Sequence, residues 1–144
     1  MSEVEGMKIK FQILITCIAL NTIFLSIKYP FFEHFFTSYL LYTIFIGIAL
    51  VLFALPLSYL VDRITIFSNV EKLIVRYTIY IIPGFILVSF MPEIAILLLS
   101  FIVASSFFVI EFVFGKIGGK LRTIICTLIT VTYVCILFFS MLLI

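Results

Sequence analysis

The sequence predicts an all-α fold, a polytopic bundle of transmembrane helices, on three observations. Hydrophobic residues make up 65% of the 144-residue chain and charged residues only 11%. The apolar residues fall in long continuous runs. The charged ones collect at the ends of those runs. So few charges cannot clothe a water-soluble domain of this size, so soluble folds are excluded and the chain reads as a single integral membrane domain over 1–144. With a net charge of +2 and no basic run interleaved with aromatics, a nucleic-acid partner has no electrostatic footprint. The lipid bilayer is the partner that composition demands.

Crossing a hydrocarbon layer of about 30 Å takes about 20 helical residues. Five segments qualify: 9–27, 38–60, 73–91, 94–114 and 121–143. Helices are expected rather than a barrel because the runs are unbroken, and in lipid every backbone polar group must find its partner within the segment. The first segment follows Lys8 and Lys10 as a signal peptide would. It is too long for one, and no small-residue cleavage site follows it, so it reads as a retained span. Laid along an alternating path, every Lys and Arg except Lys28 falls on one side: Lys8, Lys10, Arg63, Lys72, Arg76, Lys116, Lys120 and Arg122. The positive-inside rule makes that side the cytoplasm and puts the N-terminus there. A four-span path is the alternative, and it scatters these charges.

Each span carries its own marks. Gln12 and Asn21 on the first span lie on opposite faces, so at least one must meet a neighbouring helix. The stretch 29–39, YPFFEHFFTSY, suits an interfacial aromatic belt or a short surface-lying segment. Span two is broken by Pro56 and stops at Asp62–Arg63; Arg63 suits a helix C-terminus, whereas Asp62 needs a partner, for which Arg76 and Lys72 on the returning span are candidates. Span three opens with a Ser68-x-x-Glu71 capping box and carries Pro83–Gly84 at its middle, a static kink or a hinge. The short link 91–93, with Pro92 starting the next helix, predicts a tight hairpin between spans three and four.

Glu111 is the ionisable residue most clearly inside an apolar run, about a turn from the cytoplasmic end of span four. A carboxylate there must be paired, neutralised or wet, which makes it the leading candidate residue; Arg122 and Lys116 are its expected structural partners. Ser100, Ala104, Phe107, Phe108 and Glu111 share one face of span four, and Thr123, Thr127, Thr130 and Val134 share one of span five. Such faces either pack the bundle or line a solute path. Gly115-x-x-x-Gly119 lies in a basic loop and reads as a flexible turn. Cys17, Cys126 and Cys135 read as small buried hydrophobes. Glu33–His34 is the one carboxylate–histidine neighbour pair, and one histidine builds no metal site. No catalytic set, metal site or cofactor site is expected.

The PLSYLVD run, with Pro56, Ser58 and Asp62, resembles uncharacterised small multispan membrane proteins of Bacillus-type bacteria. The resemblance implies a bacterial plasma membrane location and no particular activity. The function expected from these features is that of a non-enzymatic membrane protein associating with another membrane protein or with itself, in an immunity or accessory role. The competing class is a subunit of a small oligomeric transporter or channel using the polar faces of spans four and five.

Overall fold

The computed structural model describes residues 3–29, 34–63, 69–90 and 94–143. Five helices run through them: α1 (Glu3–Lys28), α2 (Phe35–Asp62), α3 (Asn69–Phe90), α4 (Ile94–Lys116) and α5 (Gly119–Leu143). The fold is an all-α helix bundle, as the long apolar runs require. Among the described residues, four helices are long and apolar enough to cross a membrane, and α3 contributes the shorter apolar stretch Leu73–Ile86. Ser68 of the capping box, Glu33 and the 91–93 link lie outside the described residues, as do the side chains of Glu71 and Lys72.

The bundle is built inside-out relative to a soluble protein. Large apolar side chains such as Phe45, Leu128, Phe138 and Leu142 face outward, each more than half exposed. Lys10, Gln12, Thr16, Asn21, Thr22 and Ser26, all on α1, are buried. A helix carrying that many polar groups is costly against hydrocarbon and is stabilised by protein neighbours. Accordingly α1 is the inner helix: 56% of its apolar window is buried, against 11% for α5. It packs on α2, α4 and α5, while α3 packs on α4 and α2, and α5 on α1 and α2. These helices make the chain a multi-pass integral membrane protein.

Two prolines are accommodated in different ways. Ahead of Pro56 the helix widens into a π-turn over Leu50–Ala54, with the Leu55 amide donating to the Leu50 carbonyl five residues back. That extra residue puts Pro56 in the first turn of the segment that follows, the helical position where proline is best tolerated. Pro83 instead sits inside α3, which runs through it without a break. Gly84 beside it is buried, and a Cβ there would lie 2.8 Å from the Ser100 Cβ. The glycine is a contact point where α3 and α4 approach closely.

The aromatic stretch after α1 does not act wholly as a belt. Tyr39 is fully buried and donates to the Tyr133 carbonyl on α5 at 3.0 Å. Tyr42 donates to the Tyr29 carbonyl at 2.7 Å, tying α2 to the end of α1. Between α4 and α5 the link is only Ile117–Gly118; Gly115 lies in the last turn of α4 and Gly119 opens α5, so the turn is shorter than the Gly115–Gly119 loop expected.

Candidate functional site

Four helices bring their ionisable residues to one end of the bundle. Lys10 comes from α1, Ser58 and Asp62 from successive turns of α2, Arg76 and Tyr80 from successive turns of α3, and Glu111 from α4. Spacing of four puts Ser58 and Asp62 on one helical face, and Arg76 and Tyr80 on another. Arg76 is the bridge: its guanidinium pairs with Asp62 through one nitrogen and Glu111 through another. Lys10 pairs with Asp62, lies 3.8 Å from Glu111, and donates to the Ser58 hydroxyl. Its ammonium also sits 5.3 Å from the centre of the Tyr59 ring.

Glu111 is saturated. Besides Arg76 it accepts from the Ser58 hydroxyl at 2.7 Å, and the Tyr80 hydroxyl lies 2.8 and 2.9 Å from its two oxygens. The Arg76 and Glu111 side chains are each 11% exposed and Lys10 10%, whereas Asp62 is 42% exposed. The network thus holds two cations and two carboxylates, neutral as a whole, with its dry end at Glu111 and its wet end at Asp62. Ions so placed are tolerable only when matched and hydrogen-bonded, and both conditions are met.

This geometry corrects the pairing expected for Glu111. Arg122 instead donates through Nε to the Gln12 side chain and through Nη1 to the Phe114 carbonyl, both at 3.0 Å. Gln12 in turn donates to the Thr123 hydroxyl at 3.3 Å. Lys116 lies over the Phe112 ring, 4.4 Å from its centre. The cause is lateral packing: α5 packs on α1 and α2, so the first turn of α5 faces Gln12 rather than Glu111. Arg122 satisfies one of the open carbonyls at the end of α4, a suitable place for a cation.

Asn21 forms a third tie, donating to Ser106 of α4 at 2.7 Å and to its own helix at the Cys17 carbonyl at 2.8 Å. Gln12 and Asn21 therefore point to different neighbours, α5 and α4, as their opposite faces predict. The face of span four also packs as expected on α3: Ser100 under Gly84, Phe108 against Tyr77, Phe107 against Tyr80. The face of span five does so only at its start, where Thr123 accepts from Gln12 of α1. Thr127 and Thr130 donate to the carbonyls four residues back, and Thr127 and Val134 are exposed. A threonine in a helix can satisfy its hydroxyl on its own backbone and needs no neighbour. Cys135 on α5 is likewise exposed, whereas Cys17 and Cys126 are buried.

Of the residues singled out from sequence, Glu111, Asp62 and Arg76 converge; Arg122 belongs to a separate network, and Pro56, Pro83 and Gly84 shape the helices. Lys10, Ser58 and Tyr80 were not expected in the site. Lys10 carried a signal, since it stands inside the first apolar run, two residues beyond Lys8. Asp62 and Glu111, on different helices, share Arg76. His34 stands just ahead of α2, the full length of that helix from Asp62, so it does not join the acids of this site. Among the described residues no group of three His, Cys, Asp or Glu side chains could hold a metal. The chain matches no family model, no curated protein and no solved structure.

Proposed function

We propose that this chain is a non-enzymatic protein of a bacterial plasma membrane, crossing it five times from a cytoplasmic N-terminus, and that it acts by associating with another membrane protein or a second copy of itself. The observation that supports this best is the closed charge network. Transport and proton transfer need a polar group that can exchange partners, and here each ionisable side chain of the bundle's buried network is engaged by another. Arg122 and Asn21 are likewise committed to neighbouring helices. Distribution of the basic residues supports the topology, since the network gathers at the end of the bundle that carries all but one of them.

Of the four long apolar helices α5 is the least covered, and Cys135 lies on it, exposed. Bifunctional maleimide crosslinking in native membranes, followed by mass spectrometry, tests the reading. A discrete crosslinked species that depends on Cys135 and survives an Arg76→Met/Glu111→Leu replacement supports association. Solute flux through reconstituted vesicles that vanishes in Glu111→Gln with insertion intact would instead establish the transporter reading.

A further inference from the structure

An apolar cavity of about 500 Å³ lies between α2, α3 and α4, with Leu25 of α1 also in its lining. Protein interiors rarely leave voids larger than a water molecule, and this volume is within the range of about 300–1,000 Å³ typical of ligand sites. Its wall along α2 runs from Tyr42 to Leu57, on the order of 22 Å at about 1.5 Å per residue. The π-turn forms part of that wall through Leu50, Phe53 and Ala54. Wide turns of this kind are uncommon and recur at functional sites.

The cavity is elongated along the helices and opens sideways. Phe45, Ile48 and Phe53 line it and are each at least 40% exposed, so its mouth is on the lipid-facing side of α2. What enters therefore comes from the bilayer. The chemistry of the lining then selects among bilayer components. Two of its three hydroxyls are engaged elsewhere, Tyr42 with the Tyr29 carbonyl and Tyr80 with Glu111, and the third, on Ser100, sits at the close approach to Gly84. The nearest cations, Lys10 and Arg76, are matched by Asp62 and Glu111. A free fatty acid or other amphiphile that carried its charge inside would meet no counter-ion.

We infer that the cavity holds one acyl chain of a phospholipid, extended along the bundle, with the head group left outside at the membrane surface. The inference is independent of whether the chain associates with a partner, since the cavity and α5 are on different helices. It gives the π-turn a role, because a straight α2 would bring different side chains to this wall.

The full chain, reconstituted in vesicles of phosphatidylethanolamine and phosphatidylglycerol doped with a phosphatidylglycerol bearing a mid-chain diazirine, tests the assignment. After photolysis, adducts on Phe53, Leu99 and Val103 should exceed those on the outward residues Leu128 and Phe138 several-fold. Filling the cavity with Ala49→Leu and Ala104→Leu should abolish the excess and leave labelling of Leu128 unchanged, with protection of Cys17 and Cys126 from maleimide confirming the fold. Should the filled variant lose that protection, Ala49→Phe alone serves, with the same loss of excess expected. Equal labelling of cavity and exterior, an excess that survives filling, or preferential capture of a diazirine-bearing free fatty acid over the phospholipid overturns it.

Discussion

Removing Glu111 separates a structural clamp from an ordinary surface ion pair. In Glu111→Leu, Arg76 and Lys10 would share the single carboxylate of Asp62, and Ser58 and Tyr80 would lose their common acceptor. Because the Arg76 and Glu111 side chains are each only 11% exposed, the uncompensated cation stays in a poorly solvated place. Breaking a buried pair from one side costs about 3–5 kcal/mol, and access to water at the Asp62 end argues for the lower value, about 3 kcal/mol. Asp62→Asn should cost much less, about 1 kcal/mol, since that carboxylate is 42% exposed and screened. Replacing both partners, as Arg76→Met/Glu111→Leu, leaves Lys10 and Asp62 balanced and should recover most of the loss, a coupling of about 2–3 kcal/mol. The assay is unfolding of the purified protein in mixed micelles with rising dodecyl sulfate, followed by circular dichroism. If the two single replacements at Glu111 and Asp62 were equal, or the double variant the sum of its singles, the clamp reasoning would be wrong.

The same assay carries further expectations. Gly84→Ala drives a methyl group into Ser100 and should destabilise by about 1–3 kcal/mol, with Ser100→Gly relieving it. Gln12→Leu leaves the Arg122 Nε without its acceptor and should cost about 1–3 kcal/mol; its effect should add to that of Glu111→Leu, the two networks sharing no partner. In micelles N-ethylmaleimide should label Cys135 ahead of Cys17 and Cys126, which should react only after unfolding; mass spectrometry of timed samples measures the order. Arg122→Lys should weaken the α1–α5 contact almost as much as Gln12→Leu, because a lysine cannot reach Gln12 and the Phe114 carbonyl together.

The helices were legible because hydrocarbon thickness imposes a length on any apolar run, and the local ends were legible because proline, glycine and charge act over a turn or two. Arg76 as the partner of Asp62 followed from the return of α3 beside the end of α2. What sequence order could not convey was lateral arrangement. The expectation that Glu111 meets Arg122 assumed that helices joined by a short link lie side by side, whereas α1 packs against both α4 and α5. A clue lay in α1 itself. It is the span that carries a lysine, a glutamine and an asparagine, and in a bilayer the most polar helix seeks the inside. Read that way, Lys10 becomes a member of the site rather than a marker of the membrane surface.

Why the bundle should keep a charge network that contributes so little net stability follows from its outer composition. The apolar residues of α1, of α4 and of the Phe35–Ala49 part of α2 are spread around each helix with almost no preferred side. Lipid tails are as apolar as leucine, so burying one Ile or Phe face in place of another changes little, and apolar contacts alone leave the rotation of each helix undetermined. A wrong rotation of α4 would place Glu111 against hydrocarbon, and a wrong rotation of α1 would do the same to Lys10, each at a cost of several kcal/mol. The penalty falls on the alternatives rather than on the native state. The network therefore acts chiefly as a register device, and its loss should show in order more than in stability. Arg76→Met/Glu111→Leu should unfold near the wild-type midpoint, yet Cys17, packed beside Ser106 where α1 meets α4, should react with maleimide faster in the folded state.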